Sequence, residues 1–195
     1  TGVVMTILGN GEMEATPDGT PAGEAALVPA GLAFGPDGAL YVADSSNHRI
    51  WRVDPQSGQV GSLCGTGEPG DEGDGIEPGQ FLRPHNIAVD DDDRVIVADR
   101  EAHRGQVFDT NGNVLDVWND IFMPNGLTIG PDGNIYIGEL PGMTQADPTP
   151  PNHGHNISII SPSGEKLARI GHPEEGEEPG KFIAPHGIGV DSHGN

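Results

Sequence analysis

The sequence is short of several things, and each shortage narrows what the chain does. A single cysteine, Cys64, excludes an intramolecular disulfide framework. It stands in GSLCGTG where an apolar strand residue is expected, so it reads as a small buried hydrophobe rather than a reactive thiol. Aromatic residues are only 5% and apolar residues only 34% of 195 positions, which excludes one thick core and calls for a thin, repeated one. No run of about 18 apolar residues exists to span a membrane, and Thr1 opens no charged-then-apolar leader. Basic residues number 9 against 30 acidic ones, for a formal net charge of −21, which argues against nucleic acid as a partner. That charge reads first as a solvated acidic surface suited to an extracellular or periplasmic setting, and second as a set of cation sites. A helical period is absent as well, which excludes helical solenoids.

What is abundant is glycine and proline, together a quarter of the residues, and they fall at recurring turn positions. The stretch RPHNIAVDDDDRVIVADREAHRGQVF at 83–108 is the repeat unit. RPHNIAVD reads as a strand, Asp90 to Asp93 as a polar hairpin turn too short for a calcium loop, RVIVAD as an almost wholly apolar strand, and GQVFD as a third strand. Copies begin at Val28 (VPAGLAFGPDGALYVADSSNHRIWRVD), Met123 (MPNGLTIGPDGNIYIGEL) and Ala184 (APHGIGVDSHGN). Their prolines Pro29, Pro84, Pro124 and Pro185 lie 55, 40 and 61 residues apart, the spacing of propeller blades with loop insertions. The linkers repeat too, as EPGQFLRP and EPGKFIAP, with Phe81 and Phe182 as apolar anchors.

The expected fold is therefore all-β, a β-propeller of four-stranded antiparallel blades with essentially no α-helix. Second strands are expected over 39–43, 94–98 and 134–137, and an isolated outer strand from Val3 to Leu8. The whole chain, 1–195, reads as one propeller domain with repeats near 28–63, 83–118, 123–170 and 184–195. That is about four blades of an expected six, so the chain reads as a fragment of a longer one.

The pattern Y/V-V-A-D followed by a short loop, clearest in ADSSNHRIWRVD at 43–54, resembles the NHL-repeat family. The resemblance implies the propeller fold; propellers of this family serve as enzymes, ligand sensors and binding platforms, so it does not choose among functions. Two of the four repeat prolines are followed by histidine, His85 and His186, while Ala30 and Asn125 stand at the other two positions. Equivalent positions at the start of innermost strands lie around the central channel, so the two imidazoles form a candidate axial metal site. This arrangement is also similar to the family of peptidyl-α-hydroxyglycine α-amidating lyases, which implies zinc on His85 and His186 and a catalytic arginine at Arg100 in VADREAHRGQVFD. The chemistry implied is zinc-assisted cleavage of the C–N bond of a carbinolamide in a small peptide-like substrate. The third histidine of that family has no counterpart here, and Val28 replaces its tyrosine.

Asn125 offers an amide oxygen that suits calcium as an alternative ion. A proline-rich insertion, ELPGMTQADPTPPNHGHNISII, ends in His153 and His155, which with Asn125 are candidates for a binding loop. Asn156-Ile157-Ser158 matches a glycosylation sequon at the start of an apolar strand, read as a chance match. Two functions stay open: a noncatalytic binding or structural module with a protein partner or an oligomeric assembly, and a zinc-dependent lyase. A sugar-lactone hydrolase is a third reading, though it would want acidic ligands where Ala30 and Asn125 stand.

Overall fold

The computed structural model describes residues 6–13, 16–70, 77–141, 154–172 and 174–194. Twelve strands form three four-stranded antiparallel sheets, each built from consecutive strands. The first blade holds β1 (Pro29–Phe34), β2 (Leu40–Asp44), β3 (Arg49–Val53) and β4 (Val60–Cys64). The second holds β5 (Pro84–Val89), β6 (Val95–Asp99), β7 (Arg104–Phe108) and β8 (Val114–Trp118). The third holds β9 (Pro124–Ile129), β10 (Ile135–Glu139), β11 (Asn156–Ile160) and β12 (Lys166–Gly171). A three-residue 3₁₀ turn at Ala22–Glu24 is the helical element among the described residues.

Each blade turns between its first two strands on a side chain that holds the backbone. In the PDG turns Asp37 Oδ1 accepts from Ala39 N and Asp132 Oδ1 accepts from Asn134 N, while Gly38 and Gly133 take φ of 80° and 78°. The second blade puts Asp93 at the same place with φ of 60°, and Asp90 Oδ1 accepts from the backbone N–H of Asp92 and Arg94. The middle strands β2 and β6 are buried at every residue: the second sheet lies between two others, and the first is covered on its other face by Ala22, Ala25 and Leu27. One apolar cluster, with Tyr41, Ile50, Phe81, Ile87, Val97 and Phe108, joins the first two blades. A second, with Ile96, Val107, Trp118, Leu127, Ile135 and Ile137, joins the second and third. β1 contacts β5, and β5 contacts β9, so the first strand of each blade faces a common axis. This is the propeller arrangement.

Three expectations need correction. The second strands end one or two residues later than expected, because their terminal acids Asp44, Asp99 and Glu139 pair with Arg49, Arg104 and Asn156 inside the ladder. The residues before them, Ala39, Arg94 and Asn134, are taken by the hairpin turns, accepting from Gly35, Asp90 and Gly130 N–H. The fourth copy, at 184–194, forms no strand, since none of the described residues supplies the second strand it would pair with. Of the strand expected from Val3 to Leu8, residues 3–5 lie outside the described residues and 6–8 carry no strand; backbone bonds from Gly9 and Asn10 to Ala22 and Ala25 hold the following residues instead.

A histidine in the left-handed region ties each blade to the segment leading into the following repeat. His48, His103 and His155 have φ of 49°, 52° and 68° at the turn before the third strand of their blades. His48 Nδ1 donates to Leu82 O at 2.7 Å, and His155 Nδ1 donates to Ile183 O at 2.6 Å. His103 meets Phe122 edge to face at 4.5 Å between centroids. In each case the contact lies just ahead of the following repeat's proline. His48→Gly keeps a backbone that tolerates the positive φ and removes the bond, so urea denaturation should show a loss of about 1 kcal/mol. An unchanged midpoint would mean the contact carries no stability.

Candidate functional site

The site begins with an irregularity in the ladder. In each blade the pairing of first and second strands slips at the residue after the repeat proline: between Pro29 and Gly31, between Pro84 and Asn86, and opposite Ile137 and Glu139, where Asn125 and Gly126 face Gly138. Such bulges re-aim a side chain and recur beside functional sites. The residues freed from the ladder are Ala30, His85 and Asn125, the positions singled out in the sequence.

His186 joins them without a strand of its own. The backbone at 185–186 crosses Gly126 and Gly138 so closely that a Cβ on either glycine would strike the carbonyl oxygen of His186 or Pro185. The rings of His85 and His186 stand edge to face with centroids 5.4 Å apart, although a whole blade separates them in sequence.

Polar capacity in this cluster is left unused by the protein. His85 Nδ1, Asn125 Oδ1 and Asn125 Nδ2 are buried and have no hydrogen-bond partner, and Asn125 is 0% exposed. Buried polar groups are almost always paired, so three orphaned atoms on residues at equivalent bulges of neighbouring blades are unusual. Burial, with the positive charges of Arg100 and His186 next in weight, lowers the His85 pKa to about 4. His85 is therefore neutral at physiological pH, with a lone pair available.

Arg100 lies near enough to act on His85, but its guanidinium is engaged. Its Nε reaches both carboxylate oxygens of Glu101 at 3.1 Å and its Nη2 reaches Oε1 at 2.7 Å. Glu101 was not among the residues expected at the site; its place directly after Arg100 was the available signal. His155 is committed to the joint with Ile183. His153 lies outside the described residues. Asn156 is 8% exposed and donates to Gly154 O, which closes the sequon to modification. Burial pushes the Cys64 thiol far up, in keeping with a packed rather than reactive cysteine.

Two imidazoles so placed suit a shared ion, yet a catalytic zinc site takes three protein ligands. Among the described residues there is no group of three or more His, Cys, Asp or Glu side chains able to hold a metal. Among the described residues His85 and His186 are the two imidazoles brought together here, and the guanidinium of Arg100 beside them is held by Glu101.

Comparison with known proteins adds the family. The NHL repeat model matches residues 27–53 and 81–108, which span the first three strands of the first two blades. Those two blades are NHL repeats. The Arabidopsis thaliana protein SUPPRESSOR OF QUENCHING 1, chloroplastic, is 32% identical over 122 residues, covering 63% of this chain and 10% of that protein. Human NHL repeat-containing protein 3 is 34% identical over 117 residues, 54% of this chain and 33% of that protein. Chicken (Gallus gallus) NHL repeat-containing protein 2 is 35% identical over 80 residues, 40% of this chain and 11% of its length. The chain thus spans a third or less of these curated relatives. Among solved structures, a catalytically inactive virginiamycin B lyase from Staphylococcus aureus with quinupristin superposes with a TM-score of 0.55 at 18% identity, over 77% of this chain and 43% of that one. A chain of the nidogen/laminin complex gives 0.50 at 23% identity, over 74% and 49%. At such identities the likeness is one of fold, and it places the NHL blades among propellers.

Proposed function

We propose that this NHL-repeat chain is a binding module whose ligand site is the channel end formed by His85, Asn125 and His186, with Arg100 and Glu101 beside it. The observation that carries the reading is the set of orphaned buried atoms on His85 and Asn125, which a ligand would satisfy. The acidic composition suits an extracellular or periplasmic setting, and the recurrence of the fold in the nidogen/laminin complex supports a protein partner.

The test is where ligands land. NMR mapping with a panel of small peptides should give shifts centred on 85, 100, 125 and 186, and His85→Ala should weaken the effective peptide about tenfold. Shifts gathering instead at the far ends of the inner strands, around the 510 Å³ cavity lined by Asp90, Asp91, Asp92 and Asp191, would refute the placement.

A second reading, a zinc-dependent lyase acting on a carbinolamide, is favoured by the approach of the two imidazoles. When bound, zinc would polarise and acidify a substrate hydroxyl; His85 and His186 are the residues here that would hold it. Stoichiometric zinc in the purified protein, lost in His85→Ala, supports this reading, and metal analysis that finds none rejects it.

A further inference from the structure

Asn125 sits in the blade between His85 and His186, in the bulge opposite Gly138, and it is enclosed. Its carboxamide presents one acceptor and a two-hydrogen donor side by side in one plane, and no protein group meets either. Leaving an enclosed amide unpaired costs about 1–3 kcal/mol, enough to favour a partner that pairs both atoms. Resting on the axial-site reading above, we infer that Asn125 is the specificity residue of this site and selects ligands carrying an uncharged cis-amide edge, with N–H and C=O on the same side.

The choice follows by elimination among partner chemistries. A carboxylate meets the Nδ2 donor but sets a second negative oxygen against Oδ1. A cation meets Oδ1 and leaves Nδ2 unpaired. A trans peptide bond carries its N–H and C=O on opposite edges and so reaches one atom of Asn125 at a time. A primary carboxamide or a lactam has both on one edge and forms two parallel bonds, which gives direction as well as affinity. The His186 ring that shares the site is exposed and belongs to a segment outside any sheet.

The experiment uses four probes of like size: 2-pyrrolidinone, propionamide, N-methylacetamide and acetate. The side-chain amide signals of Asn125 are assigned by their loss in Asn125→Leu, and the probes are titrated against the ¹⁵N-labelled protein. The first two should shift the Asn125 pair saturably, and Asn125→Leu should weaken them about tenfold, the worth of one to two hydrogen bonds. N-methylacetamide and acetate should bind about tenfold more weakly than the better of the first pair. Whichever of lactam and carboxamide binds tighter names the source of the edge. Should Asn125→Leu fail to fold, the isosteric Asn125→Asp, which keeps the shape and removes the donor, should lose the same preference. Four probes that bind alike, or Asn125 signals that none of them moves, would overturn the inference and mean an enclosed water only. If the His85 ring signals respond while Asn125 stays silent, the amide inference alone fails. Silence at both residues removes the axial site with it.

Discussion

Asp99→Ala should destabilise the protein by about 3–5 kcal/mol, the range for breaking a buried ion pair. Asp99 is 0% exposed and sits at the end of β6. One of its oxygens accepts from the backbone N–H of Leu82 and Arg83, just ahead of β5, and the other accepts from Arg104 Nε and Gln106 Nε2 at 3.3 Å each. The carboxylate therefore joins three segments of the blade. Burial raises its pKa against the lowering pull of those N–H groups and Arg104, so the group is costly as an anion and tolerated for what it organises. Alanine would strand two backbone donors and take a carboxylate partner from Arg104, itself 6% exposed. Asp99→Asn retains an oxygen for the backbone and should cost less than alanine. Urea denaturation followed by the fluorescence of Trp51 and Trp118 measures both, and a loss below about 1 kcal/mol for Asp99→Ala would show that the carboxylate is not the joint we describe.

The same device stands in each blade. Asp44 accepts from Val28 N, Trp51 Nε1 and Asn47 Nδ2, and Glu139 accepts from Phe122 N, with Ser158 and Arg169 on its other side. In sequence these acids look like the polar ends of apolar strands, and ending the strand before them was the natural reading of hydropathy. Their burial follows from partners on two or three other segments, which a local pattern does not contain.

The blades themselves were legible because their signals are local: Pro and Gly at turns, period-two alternation, and a spacing that recurs. The role of His155 was hidden by the insertion ahead of it, which disguised the match between GHN at 154–156 and NHR at 47–49. Aligned on the third strand, His48, His103 and His155 are one position repeated, and their positive φ gives the reason that each stands in a turn. The pairing of His85 with His186 was expected from the repeat alone, since equivalent residues of a propeller share an axis. Its accompaniment was not: the slipped register that frees these side chains belongs to strand pairing, and the engagement of Arg100 by Glu101 depends on rotamers. The fourth copy shows the limit from the other direction, a strand-like sequence without a described partner strand and so without a strand.

Stability should fall by an amount on the order of 2 kcal/mol as pH drops from about 6.5 to about 4, through His85 alone, after allowance for solvent screening of a half-buried ring. The sign follows from the folded pKa lying below the unfolded one. Between about 4 and 6.5 the unfolded chain holds a proton on this imidazole that the folded protein does not, so acid favours unfolding across that window. The contribution is complete above about 6.5 and exhausted below about 4. The cause is visible in the site: Nδ1 is buried without an acceptor, and Arg100 and His186 oppose a further positive charge. Carboxylates titrate in the lower part of the same range, so the measurement is a difference. Across pH 7.5 to 4 the melting temperature of the wild type should fall relative to that of His85→Gln, because glutamine removes the ionisation while keeping a polar side chain. The ring signals of His85 in NMR should titrate near pH 4. A midpoint near 6.5, or parallel melting curves for the two proteins, would show that the imidazole is solvated and free to charge, and His85 would then lose its standing as a neutral donor for the ligand.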